Sequence, residues 1–163
     1  MREMHTIPPC YDARSRVLIL GSFPSPKSRA AGFYYGHPQN RFWRVLSALF
    51  CAPVPGTNAE KRALLAAHHI ALWDVLASCE IQGAADASIR AEIPNDIRGI
   101  LQQCPIRAVF TTGGTATRLY RKHILPVAGR DAIPLPSTSP ANCAMSFDAL
   151  IAQYAAILPY LEE

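Results

Sequence analysis

The chain has 163 residues, 50% of them hydrophobic and 17% charged, which suits one globular domain over residues 1–163 and excludes a disordered tract. Its formal charge is +4, and Lys27, Lys61 and Lys122 are the only lysines among 16 basic residues, so the charge is mostly arginine, whose planar fork suits phosphates. No stretch is apolar enough to span a membrane, the first residues lack the apolar core of a signal peptide, and five scattered cysteines without a CxxC pair argue against zinc, iron–sulfur and disulfide frameworks. A cytoplasmic protein with reduced cysteines is expected.

Val17-Leu18-Ile19-Leu20, ending at Gly21, reads as a strand buried on both faces. A long polar loop follows, rich in glycine and proline. Asn40 then opens a helix whose Phe42, Trp43, Leu46, Leu49 and Phe50 share one apolar stripe. A second helix is predicted from Ala59 to His68 and a second strand at Ile70–Trp73. Ile93 to Cys104 reads as a helix with Pro94 in its first turn and Pro105 beyond its end. Ala108–Thr111 is the third strand, Gly113-Gly114 a tight turn, and Thr115–His123 a helix. A weaker strand lies at Ala132–Leu135. The last helix starts near Ser146 and buries Phe147, Leu150, Ile151, Tyr154, Ile157 and Leu158.

This alternation predicts a three-layer α/β/α fold around a mainly parallel, four-stranded sheet. Ligands of such folds bind beyond the carboxyl ends of the strands. Those ends carry GSFPSPKS, WDVLAS, TTGGT and LPSTSPAN, which locates a candidate site.

Taken residue by residue, the site leaves alternatives open. Asn40 is either the N-cap of its helix or an amide that holds a reactant. Asp74 either braces the end of its strand or offers a carboxylate to a ligand. Phe23 either anchors a loop or packs against a bound ring. Tyr34 and Tyr35 suit base stacking or a protein interface. The serine-proline loop is a common turn or a phosphate contact. His5, His37, His68, His69 and His123 lack metal-ligand spacing, so neither metal nor cofactor is expected. His37 is assigned to the pocket entrance and the other four to the surface.

Four segments, LILGSFPSPKSRAAGFYYGHPQNRFW at 18–43, IALWDVL at 70–76, VFTTGGTA at 109–116 and LPSTSPAN at 135–142, together resemble the uracil-DNA glycosylase superfamily. They look most like its hypoxanthine-DNA (deoxyinosine) glycosylase branch. The resemblance implies a monofunctional hydrolase that extrudes a deaminated base from DNA and cleaves its N-glycosidic bond. Hypoxanthine is the expected base and uracil the next. A non-catalytic nucleic-acid-binding module of the same fold is the alternative. Superfamily members carry aspartate or asparagine where this chain has Phe23, and the uracil-specific branch a histidine where it has Leu135. The resemblance therefore makes Asn40 the catalytic residue, its carbonyl holding water at C1′. It makes Tyr35 the stacking ring, Phe23 a second base contact, and Asp74 the reader of the base's Watson–Crick edge. Ser25, Lys27, Ser28, Arg29, Gly114, Thr115, Ser137, Thr138, Ser139 and Asn142 are the expected DNA contacts. Damaged DNA is the expected partner of a monomer.

Overall fold

The computed structural model describes residues 2–162. Its elements in chain order are β1 (Arg2–Met4), β2 (Val17–Gly21), α1 (Pro26–Ala31), α2 (Phe42–Leu49), α3 (Asn58–Ala67), β3 (Ile70–Asp74), β4 (Leu76–Glu80), β5 (Arg90–Pro94), α4 (Arg98–Gln103), β6 (Ala108–Thr112), α5 (Gly114–Leu119), α6 (Leu125–Ala128), β7 (Ile133–Leu135), α7 (Phe147–Tyr154) and α8 (Leu158–Leu161).

Strand β2 is buried along its whole length, and its alternate side chains enter two separate cores. Val17 and Ile19 pack with Phe42, Trp43, Leu46, Leu150 and Tyr154 from α2 and α7. Leu18 and Leu20 pack with Ile100, Leu119, Tyr120 and Ile124 from α4 and the α5–α6 segment. A strand apolar on both faces needs cover on both, and this gives the three layers. The sheet order is β3-β2-β6-β7, every pairing parallel. Its register pairs Gly21 with Asp74, Leu20 with Thr111 and Thr112 with Leu135, so the carboxyl ends form one rim.

A second, antiparallel sheet of order β1-β4-β5 was not expected from the sequence. It shortens the helix predicted at Ile93–Cys104. Residues 90–94 pair with β4 instead, and the helix begins at Arg98. The apolar spacing ran through both segments, but Ile93 precedes Pro94 and is pushed toward extended backbone. Asn95 then fixes the corner by donating to the Asp74 and Leu76 carbonyls at 2.9 and 3.1 Å. The loop expected at 22–39 contains α1, capped by Ser25, whose Oγ accepts from the Ser28 N–H. The helix predicted at Thr115–His123 continues through a π turn at Tyr120–Ile124 into α6. The last helix begins where expected, and the Ser146 side chain caps it by accepting the Ala149 N–H.

The loop after β7 is tied to the helical layer from two sides. Arg41 donates to the carbonyls of Asn142 and Met145 at 2.8 and 2.7 Å, and Tyr154 Oη to the Pro136 carbonyl at 2.6 Å. Tyr154 has no exposed surface. Tyr154→Phe strands that carbonyl, and an unsatisfied buried acceptor costs about 1–3 kcal/mol. Urea unfolding should show a lower midpoint by that amount with an unchanged slope.

Candidate active site

Above the rim lies a cavity of about 320 Å³, within the range of small-ligand sites. Gly21, Phe23 and Ser25 line it from the β2 end, Asp74 from β3, Thr112 from β6, Tyr35, His37 and Asn40 from the segment before α2, and Ser137–Ala141 from the loop after β7. The lining contains no lysine.

Asp74 is 4% exposed. Its Oδ2 shares a 2.8 Å hydrogen bond with His5 Nε2, and both side chains are nearly excluded from solvent, at 6% and 4%. Its Oδ1 lies over Gly21, where a Cβ would stand only 2.6 Å away. The glycine that ends the first strand is thus the space this carboxylate occupies. His5 had been expected at the surface, but β1 pairs with β4 and carries it inward. Its own N–H donates to the Ala77 carbonyl at 2.8 Å, and its ring sits among Phe23, Tyr34 and Trp73.

Asn40 also lines the cavity. Its Oδ1 accepts the Phe42 N–H at 2.9 Å and the Thr138 hydroxyl at 2.8 Å. Asn40 is thus not the N-cap of α2, which is Arg41, but from the residue before it the oxygen receives the first N–H of the helix, and both its lone pairs are engaged. Because a backbone N–H can only donate, the amide orientation is fixed. Its Nδ2 has no protein partner among the described residues.

The Tyr35 ring stacks on Phe42 with centroids 3.9 Å apart, and its hydroxyl lies 3.2 Å from Thr112 Oγ1. Burial and then the Asp74 charge raise its pKa. Its backbone φ is +54°, a strained conformation for a tyrosine that holds the ring at the cavity wall. Tyr34 is committed elsewhere: it is 2% exposed and its hydroxyl donates to the Ile7 and Pro8 carbonyls. Phe23 is 8% exposed, flanked by His5 and, at 5.5 Å, by the Arg29 guanidinium.

A second carboxylate in the lining, Asp86, gave no sign in the sequence. It stands on the β4–β5 loop and accepts the Ser22 hydroxyl on Oδ1 at 2.9 Å. The residue as a whole is exposed, but its carboxyl turns into the cavity. Loss of water there raises its pKa, the Ser22 bond opposes this, and the Asp74 charge adds to it.

The expected DNA contacts separate into groups. Ser28 and Thr138 are almost fully buried, Ser28 accepting the Gly36 N–H and Thr138 holding Asn40. Arg29 is paired with Glu3 at 2.7 Å. Ser137 and Ser139 accept backbone N–H groups within their own loop, and Asn142 Nδ2 donates to the Ser137 carbonyl. Lys27 is exposed. Gly114, Ser137 and Asn142 line a second, open groove with Arg118 and Arg121, which sequence reasoning had not singled out. Thr115 lies at the start of α5 and lines neither hollow. Among the described residues, no cluster of histidine, cysteine, aspartate or glutamate could hold a metal, and no helix is long and apolar enough to cross a membrane.

A family model for the uracil DNA glycosylase superfamily matches residues 8–161. The chain is 32% identical over 136 residues to proteins named hypoxanthine DNA glycosylase from Methanosarcina acetivorans and Methanosarcina barkeri, covering 83% of this chain and 85% of each relative. Its structure is similar to the solution NMR structure of a candidate uracil DNA glycosylase from Methanosarcina acetivorans, with a TM-score of 0.83, 30% identity and 100% of both chains covered. Matches of this extent show the family: the chain belongs to the uracil DNA glycosylase superfamily.

Proposed function

We propose that the chain is a monofunctional DNA glycosylase that takes a deaminated base out of the duplex and hydrolyses its N-glycosidic bond, with hypoxanthine the preferred base. The convergence of Asn40, Tyr35 and Asp74 on one purine-sized cavity carries this reading. The two relatives named hypoxanthine DNA glycosylase support the choice of base. The flipped base stacks on Tyr35, whose far face is already backed by Phe42, and meets Phe23 at its edge. Asp74 accepts the ring N–H that deamination creates.

Asn40 is the catalytic residue. Since its oxygen is held by the Phe42 N–H and Thr138, the group it offers is the NH2. A donor there suits the departing base, which gathers negative charge as the bond breaks. Water at C1′ then needs a different acceptor, and Asp86 supplies it. The C1′–O bond forms as the C1′–N bond breaks, the electron pair leaves with the base, and the water proton passes to the Asp86 carboxylate. A weak nucleophile suffices where the sugar has oxocarbenium character. No lysine lines the cavity to form a Schiff base with the sugar. The open groove with Gly114, Arg118 and Ser137 takes the phosphate backbone.

Duplexes carrying inosine, uracil, xanthine or a thymine mismatch, treated with the protein and then alkali, test the activity. Strand breaks at inosine are expected, and intact strands throughout leave a binding module. Asn40→Ala should abolish breaks at inosine while duplex affinity stays within a few fold, and unchanged turnover would remove Asn40 from the reaction. For Asp86, loss of water raises the pKa from its ordinary value, so the carboxyl is protonated, and unable to accept, at a higher pH than a solvated aspartate. The excision rate should therefore fall on the acid side sooner than a solvated aspartate would make it. Asp86→Asn should lose this limb together with roughly 100-fold or more of the rate, measured under single turnover.

A further inference from the structure

The His5 and Asp74 side chains are each withdrawn from water to meet the other, and Asp74 also lines the cavity. Two hydrogen-bonded nitrogen and oxygen atoms 2.8 Å apart require a proton between them. With imidazole donating to carboxylate, imidazolium donating to carboxylate, or carboxylic acid donating to imidazole, that proton lies on the Nε2–Oδ2 line. In each arrangement Oδ1 carries none. A further proton on Oδ1 would exchange a charge-assisted bond for a weaker neutral one.

We propose that His5 is a specificity-determining positioning residue that, by engaging Oδ2, keeps Asp74 Oδ1 an obligate acceptor toward the bound base. Oδ1 then takes a base that brings a ring N–H, and opposes one that brings a ring lone pair to the same place. Adenine presents a lone pair at N1, and deamination to hypoxanthine replaces it with N1–H. Cytosine and uracil differ in the same way at N3. The substrate class is accordingly the lactam base, and the histidine supplies the discrimination between a damaged base and its undamaged parent. Guanine also has N1–H, so its exclusion belongs to another part of the wall.

The surroundings of His5 favour this over simple packing. Three rings surround the imidazole with centroids 6.0, 6.1 and 6.4 Å away, and they would accept any aromatic side chain. What only histidine adds is the nitrogen at Asp74. A half-turn of the carboxylate only exchanges equivalent oxygens, so one always meets His5 Nε2 and the other lies over Gly21.

The inference rests on the reading of Asp74 as the base-contacting residue, and the experiment separates the two. Single-turnover excision is measured on duplexes containing deoxyinosine or deoxyadenosine for the full-length wild type, His5→Phe, His5→Gln and Asp74→Ala. His5→Phe preserves the ring packing and removes the donor. It should lose about 10- to 100-fold of deoxyinosine excision, the range set by one buried polar group left unpaired, and narrow the inosine-to-adenosine ratio while duplex affinity changes little. His5→Gln restores an N–H donor and should recover most of the rate and the ratio. Wild-type excision and selectivity in His5→Phe, or an equal loss in both His5 variants, overturns the role of His5. If Asp74→Ala excises deoxyinosine at the wild-type rate, the base-reading assignment itself fails, whatever the His5 variants do. Should His5→Phe not fold, ¹⁵N NMR of the wild type decides the point, since an imidazole Nε2 without a hydrogen-bonded proton overturns the proposal.

Discussion

A carboxylate buried at the end of β3 imposes most of the local design around the cavity. An unpaired charge in that position is costly, and a hydrogen bond to a charged group returns about 1.5–3 kcal/mol. Asp74 is therefore met from several directions. Gly21 gives it room, His5 gives it a partner, and Asn95 holds its backbone carbonyl. Each of these calls for structure elsewhere. His5 needs β1 beside β4, and Asn95 needs the corner between β5 and α4. The small antiparallel sheet can be understood as the frame that delivers one imidazole to one oxygen.

This explains what could be read from the sequence and what could not. The parallel sheet was legible because β2, β3 and β6 are short apolar runs separated by helices with apolar stripes, signals that lie within single segments. The helix starts at Ser25 and Ser146 show the ordinary capping chemistry, although only the second had been placed. The small sheet was not legible. Its strands are exposed on alternate or irregular positions, β5 contains a proline, and β1 is three residues long. Its β1 edge pairs with β4 across more than 70 residues of sequence, as in Arg2 with Glu80, which leaves no local pattern. His5, the residue after β1, was missed for that reason, and Asp86 because the short loop between β4 and β5 carries no motif of its own.

The resemblance names residues, whereas the structure shows which of their atoms are already engaged. Asn40 and Thr138 were each assigned a polar contact to the substrate, yet they contact each other. Ser28, Ser137 and Ser139 use their hydroxyls to hold backbone N–H groups of the rim. A hydroxyl already satisfied by its own loop contributes by keeping the loop in shape before the ligand arrives, which removes an ordering cost from binding. Sequence identity fixes which functional groups are present, whereas their remaining donor and acceptor capacity depends on neighbours that only the fold supplies.

The two carboxylates of the cavity illustrate the consequence. Asp74 is enclosed and tied on one oxygen, whereas Asp86 rides on a loop and accepts a single hydroxyl, its second oxygen having no protein partner among the described residues. Two negative charges sharing one cavity cannot both be held at no cost, and the Asp74 charge adds to the upward shift at Asp86. The carboxylate with the fixed partner is held in one place and suits recognition, which must not vary. The one pushed toward its protonated form is the better proton acceptor and suits a reaction in which a proton has to move. On the proposed assignment, the environments of the two groups, more than their shared chemistry, divide reading the base from removing it.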